Sequence, residues 1–138
     1  MKLHNFGLFL LRVTISGLML YLHGLPKILN FSEKVEVFPD PLGIGPSNSL
    51  ILCVFAEGIC SLGLMLGFLT RFSAFCLSVN MFTAFYFVHQ GDPWSIKELP
   101  FVYLIIFLSF MLTGAGRVSV DHKVFGKFKN NYRYTPSL

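Results

Sequence analysis

The residues of this chain that could do chemistry lie inside long apolar stretches or at their ends. Arg12, Glu57 and Asn80 each interrupt such a stretch. An isolated charge in a hydrocarbon environment is costly, so ionisable groups there usually pair with each other or serve a functional site. Counting residues from the ends of the stretches places all three at a similar depth. The sequence therefore predicts a polar centre in which Arg12 pairs with Glu57 and Asn80 lies beside them.

Two interpretations of this centre stay open at the level of sequence. In one, a buried ion pair with an amide partner fixes the order of the helices. In the other, Arg12, Glu57 and Asn80 bind the polar headgroup of a ligand, such as a quinone carbonyl, or take part in a proton step.

A second polar cluster is predicted where the stretches end. His23, Lys27, His89 and Glu98 all fall on one side, and they could form a ligand pocket, a proton path or a His/Glu metal site. Two of them also have a structural interpretation: Lys27 can extend its ammonium to the membrane surface, and Glu98 with Ser95 fits the S-x-x-E capping box. The two histidines lack a tight ligand spacing, which argues against metal or haem ligation.

Other catalytic chemistry finds little support in the sequence. Cys53, Cys60 and Cys76 lie in apolar runs and form no C-x-x-C pair. Cys53 and Cys60 would lie about 10 Å apart along a helix, too far for a disulfide. We interpret all three as small packing residues. Walker, G-x-S-x-G and H-E-x-x-H motifs are absent from the sequence.

The elements that must position these residues are membrane-spanning helices. Of the 138 residues 54% are hydrophobic and 13% are charged, against about 25% charged in a typical soluble domain. Four apolar segments are long enough to cross a bilayer as helices. They run from about Phe6 to Leu25, Ser49 to Thr70, Phe72 to Val88 and Ile96 to Thr113. We predict an all-α membrane protein, a four-transmembrane-helix bundle.

Helical spacing predicts which faces point inward. Mostly small or polar residues recur four, seven, eight and eleven positions after Cys53 in the second segment, and three, seven, ten and fourteen positions after Ser73 in the third, as expected for one helix face. The second segment also contains Gly63 and Gly67 at the G-x-x-x-G spacing, which allows close helix approach. Whether these glycines pack within the bundle or between protomers stays open. The predicted interior positions are Cys53, Glu57, Cys60, Ser61 and Leu64, followed by Ser73, Cys76, Asn80, Thr83 and Phe87.

Charge predicts the orientation. Seven basic residues flank the spans on the side of the termini and three on the other side, which predicts both termini in the cytoplasm and a long, outward-facing first connection. That connection is expected to hold a short amphipathic or re-entrant helix between Lys27 and Phe38. Residues 1–116 are predicted to form the transmembrane domain. Residues 117–138 are predicted to form a basic cytoplasmic tail on the inner leaflet, with no role in nucleic-acid binding.

Three stretches resemble the DoxX family of small four-helix bacterial membrane proteins. They are LRVTISGLMLYLHGLPKI in the first span, FAEGICSLGLMLGFLTRFSAF across the second and third, and LTGAGRVSVD after the fourth. The resemblance covers about Phe6 to Asp121, with Ala115 where the family often has proline. The residues that match the family pattern are Arg12, His23, Gly24, Lys27, Glu57, Arg71, His89, Glu98, Gly114, Gly116, Arg117, Ser119 and Asp121.

The resemblance implies a function near membrane redox chemistry. The family is grouped with small subunits of thiosulfate:quinone oxidoreductases, and other members are linked to redox stress or to peptide-modification and metal-handling proteins. It implies an accessory or small subunit in the bacterial inner membrane, with a protein partner or a second copy and with quinone as a candidate ligand. The alternatives are a structural scaffold without a ligand, or a stand-alone enzyme or transporter. Gly114, Gly116, Arg117 and Asp121 are interpreted as a helix stop anchored at the membrane surface.

Overall fold

Four long helices, with a short helix in the first connection, make up most of the described part of the chain. The structure is a computed structural model, and it describes residues 3–124. The membrane-spanning helices are α1 (Leu3–Leu29), α3 (Pro46–Leu66), α4 (Thr70–Val88) and α5 (Trp94–Thr113). A short helix, α2 (Phe31–Val37), lies in the first connection. The predicted four-helix architecture is confirmed, and residues 125–138 of the predicted tail lie outside the described residues.

The helices alternate in direction along the chain. The start of α1, the turn from α3 to α4 and the end of α5 share one end of the bundle, here called the termini end. The first connection and the turn from α4 to α5 share the other, the connection end. Each span is long and apolar enough to cross a membrane, so the side chains exposed along the spans face lipid.

The interior packs mainly where α4 meets α5, the largest helix contact in the structure. The predicted inner face of α3 is confirmed, because all five of its residues are buried. On α4 the prediction is wrong for Phe87, which is 44% exposed. Phe87 lies in a π-helical turn, where the spacing of an α-helix no longer applies. The core consists of Met19, Cys60, Leu64, Ala74, Leu77, Met81, Tyr103, Phe107 and Phe110.

The two glycines of the G-x-x-x-G pair pack within this chain. A Cβ on Gly63 would lie 2.7 Å from Ser73 Oγ. A Cβ on Gly67 would meet the Arg12 guanidinium and Ser119, and Gly67 has a positive φ of 70°. Both positions therefore serve helix approach inside the bundle.

Gly24 makes the closest approach between α1 and α3. A Cβ on Gly24 would lie 2.5 Å from the Glu57 carbonyl oxygen and 2.8 Å from its carbon. Backbone atoms cannot move aside as a flexible side chain can, so any larger residue must push the two helices apart.

We expect Gly24→Ala to lower the free energy of unfolding by about 1–3 kcal/mol, the usual cost of overpacking. The matched control is Gly7→Ala on the same helix, where a Cβ would meet nothing within 4 Å. Thermal unfolding in detergent compares the two variants. Equal stability of both variants would contradict the close approach.

Candidate ligand-binding cavity

Arg12 does not pair with Glu57, so this prediction is wrong. Its guanidinium donates to the Ala115 carbonyl oxygen at 2.7 Å and to the Val118 carbonyl oxygen at 2.8 Å. The side chain is 1% exposed. Arg12 therefore ties α1 to the segment that follows α5, at the termini end.

The depths and the directions of the two side chains explain the error. Gly24 lies opposite the Glu57 backbone, and Arg12 is twelve residues earlier on α1, about 18 Å along the helix axis. Each Cα–Cβ bond also tilts toward the N-terminus of its own helix. In antiparallel neighbours these tilts diverge, so Arg12 leans toward the termini end and Glu57 leans toward the connection end. The similar depth that the sequence predicts for the two residues is therefore wrong.

The glycine-rich stretch after α5 completes this tie at the termini end. Asp121 accepts from the backbone N–H groups of Leu69 and Thr70 at 2.8 and 2.9 Å, so it caps the start of α4 from a distant part of the chain. Gly114 and Gly116 both have φ of 75°, which turns the chain back toward the bundle. Arg117 points outward and is exposed.

Glu57 belongs to a different polar group, formed with Lys27 and Asn80. The Lys27 ammonium donates to Glu57 Oε2 at 2.5 Å, and the Asn80 amide donates to Glu57 Oε1 at 3.0 Å. Lys27 also donates to the His23 carbonyl oxygen at 3.4 Å. The three side chains come from α1, α3 and α4, so they join three spans at one level.

This group faces a cavity of about 660 Å³ between the helices at the connection end. The Lys27 and Glu57 side chains are 19% and 5% exposed, so the pair is shielded but still reaches the cavity. The remaining walls are mostly apolar and aromatic, which is typical of a small-molecule site with a few orienting polar groups. The polar lining residues are His23, Lys27, Ser49, Glu57, Asn80, Thr83, His89 and Tyr103.

The two predicted clusters are thus rearranged into one site. His23 lines the cavity and packs edge-on against Tyr103, with ring centroids 6.0 Å apart. His89 lines the cavity, and its Nδ1 lies 2.6 Å from Asp92 Oδ2. Glu98 is exposed and lies outside the lining.

The capping box, the alternative interpretation of Glu98, does not form at the start of α5. The helix begins at Trp94 with Pro93 as its N-cap and has no side-chain capping bond. Ser95 therefore already lies within the first turn. Within residues 3–124, no group of three His, Cys, Asp or Glu side chains is arranged to hold a metal.

All four spans depart from regular α-helix beside the cavity. Leu20–Gly24, Phe55–Cys60 and Ala84–Val88 are π-helical, and Pro100 interrupts the hydrogen bonding of α5. π-Helical turns are rare and frequently occur at functional sites. Here they carry His23 and Glu57, and the third ends directly before His89, so the irregular turns orient the polar wall.

The first connection covers the connection end of the cavity. Phe38, Pro39, Pro41 and Leu42 contribute to the lining. Asp40 holds this segment: its carboxylate accepts from Ser49 Oγ at 2.7 Å and from the N–H groups of Gly45 and Ile44. These hydrogen bonds, that of Ser49 above all, lower the pKa of Asp40 below its usual value.

We expect Asp40→Asn to loosen the connection, because one carboxylate oxygen becomes an NH₂ group that cannot accept. Wild-type protection is present above the unfolded pKa of about 3.9 and is lost as pH falls through the lowered folded pKa. Hydrogen exchange at Ile44 and Gly45 measures this. Glu36→Gln, an exposed change in the same connection, is the control. Unchanged exchange in Asp40→Asn would contradict the assignment.

Sequence reasoning missed several parts of the site. Tyr103 and Ser49 line the cavity, and Asp40 holds its cover. One feature of the sequence could have indicated Tyr103: it is a polar aromatic residue three positions after a proline within an apolar span. For Asp40 the sequence holds no such signal, because only the conformation of the turn that follows brings its hydrogen-bond donors to the carboxylate.

Comparison with known proteins identifies the family of the chain. The DoxX family model matches residues 7–90. This chain belongs to the DoxX family. The matched region includes Lys27, Glu57, Asn80 and His89, whereas the termini-end stretch from Gly114 to Asp121 lies beyond it.

Two uncharacterized proteins of Haemophilus influenzae are similar to this DoxX protein along much of their length. One is 32% identical over 133 residues, covering 91% of this chain and 96% of the relative. The other is 30% identical over 96 residues, covering 66% and 64%. No solved structure matches the chain.

Proposed function

We propose that this protein is an accessory or small subunit of a membrane redox system and binds a quinone, or another small apolar ligand with a polar head, in the cavity. The observation that carries the proposal is the Lys27–Glu57–Asn80 group on an otherwise apolar wall. There the carbonyl oxygen of a ligand can accept hydrogen bonds from the remaining N–H groups of Lys27 and Asn80. Apolar walls then hold the rest of the ligand.

Binding tests the proposal directly. We expect the protein purified in mild detergent to carry extractable quinone, identified by mass spectrometry. We also expect the ligand-free protein to bind an added benzoquinone that bears a decyl chain. Asn80→Leu should weaken this binding at least tenfold, whereas Asn30→Leu, an exposed amide outside the lining, should not. An empty cavity that no benzoquinone enters would refute the ligand.

The accessory role predicts a partner. An accessory subunit that binds quinone passes electrons between that quinone and a redox enzyme, so the two proteins must be in contact. Cross-linking in native membranes, followed by mass spectrometry, is expected to capture a redox enzyme or a second copy of this chain. Capture of neither would contradict the accessory role.

A structural scaffold is the second candidate, because Glu57 already satisfies both oxygens with Lys27 and Asn80. Glu57→Gln separates the two functions. A variant that folds and keeps its partner but loses quinone supports the binding site. If the wild-type protein binds no quinone and Glu57→Gln loses the partner protein, the scaffold is supported.

We further propose that the termini end faces the cytoplasm of a bacterial inner membrane, following the excess of basic residues there. A fluorescent protein fused after Leu138 should then fluoresce, and alkaline phosphatase fused at the same place should be inactive. The reverse pattern would invert the orientation.

A further inference from the structure

One wall of the cavity is also part of the outer surface of the bundle. Four apolar residues line the cavity and are at the same time exposed on the spans: Leu52 at 54%, Phe55 at 37%, Phe75 at 52% and Val79 at 49%. Leu52 and Phe55 belong to α3, whereas Phe75 and Val79 belong to α4. The cavity is therefore separated from the surroundings between α3 and α4 by no more than one layer of side chains.

This wall lies deep in the membrane. Phe55 is nine residues after the start of α3, and Val79 is nine residues before the end of α4. Both are about 14 Å from the connection end, close to the middle of a hydrocarbon core of about 30 Å. What borders the cavity at this point is lipid tails, not water.

We infer that the thin wall at Phe55 and Val79 is a lateral opening through which the tail of a bilayer-dissolved ligand reaches the cavity, while its polar head binds at Lys27 and Asn80. This inference rests on the proposed function and adds the route and the ligand class. A tail that passes between α3 and α4 stays in hydrocarbon throughout, so binding need not expose it to water. The site then favours membrane-dissolved molecules over soluble ones with the same head.

Exposed lining residues at the connection end offer a separate route for small soluble molecules. Val88, Ile96 and Leu99 line the cavity and are 37%, 48% and 53% exposed. They lie at the end of α4 and the beginning of α5, close to the membrane surface. A head without a tail can enter here even when the lateral opening is filled.

The test fills the opening with Val79→Trp. Two probes are compared in proteoliposomes: a benzoquinone with a polyprenyl tail long enough to cross a bilayer leaflet, and the same benzoquinone without a tail. We expect Val79→Trp to weaken binding of the tailed quinone at least tenfold and to change binding of the tailless quinone less than twofold. Ile105→Trp, a lipid-exposed change on α5 outside the lining, should change neither.

The outcomes separate the inference from the proposed function. If wild type binds neither quinone, the proposed function itself fails. If wild type binds both and Val79→Trp leaves the tailed quinone unaffected, or weakens both probes equally, the lateral opening is overturned while the binding site stands.

Discussion

Replacing Arg12 with alanine is expected to lower the free energy of unfolding by about 3 kcal/mol or more. The change leaves the buried carbonyl oxygen of Ala115 and the partly buried carbonyl oxygen of Val118 without their donors. It also leaves a cavity where a side chain with 1% exposure was packed. Unfolding in bicelles measures the effect.

Arg12→Lys should recover only part of this loss. A lysine ammonium is a compact charge, whereas the guanidinium reaches two separate carbonyl oxygens with a planar fork of N–H groups. Arg71→Ala is the matched control, because Arg71 is exposed and its contact with the Leu112 carbonyl is long, at 3.4 Å. We expect that control to change stability by no more than about 0.5 kcal/mol.

Arg12 should also act independently of Glu57. The two side chains share no partner, since Arg12 contacts the segment after α5 and Glu57 contacts Lys27 and Asn80. Arg12→Ala and Glu57→Gln are therefore expected to add within about 0.5 kcal/mol. A large coupling energy between them would restore the ion pair that the sequence predicts and would contradict the structure.

The sequence predicts the fold well because each span carries its own evidence. The length and hydropathy of the apolar segments predict the four helices, and residue spacing predicts the buried face of α3. Pairing of polar groups is harder, because it depends on helix direction and on local departures from 3.6 residues per turn. The depth counted from the ends of the spans suggested Arg12 as the partner of Glu57, but Gly24 is the residue of α1 that lies opposite Glu57. Lys27 then leans back along α1 and brings its ammonium to the Glu57 carboxylate. The π-helical turns left no clear mark in the sequence, and Phe87 was misplaced for that reason.

Lys27 and Glu57, in contrast to Arg12 and Glu57, should be strongly coupled. Lys27→Met removes the ammonium and leaves the Glu57 carboxylate, 5% exposed, with only the Asn80 amide. Glu57→Gln leaves the Lys27 ammonium beside a neutral amide. Each single change is expected to cost about 2–4 kcal/mol, because an uncompensated charge remains in a poorly hydrated site.

The double variant removes both charges and so restores electrical balance. We expect it to be more stable than the sum of the single losses implies, by about 1–3 kcal/mol. Lys34→Met combined with Glu33→Gln, a pair of neighbours on α2, supplies the control cycle and should show little coupling. Strict additivity of Lys27→Met and Glu57→Gln would mean that the pair does not form in the membrane. Without that pair, the polar head of the ligand would have to be held by neutral side chains of the lining such as Asn80 and Tyr103.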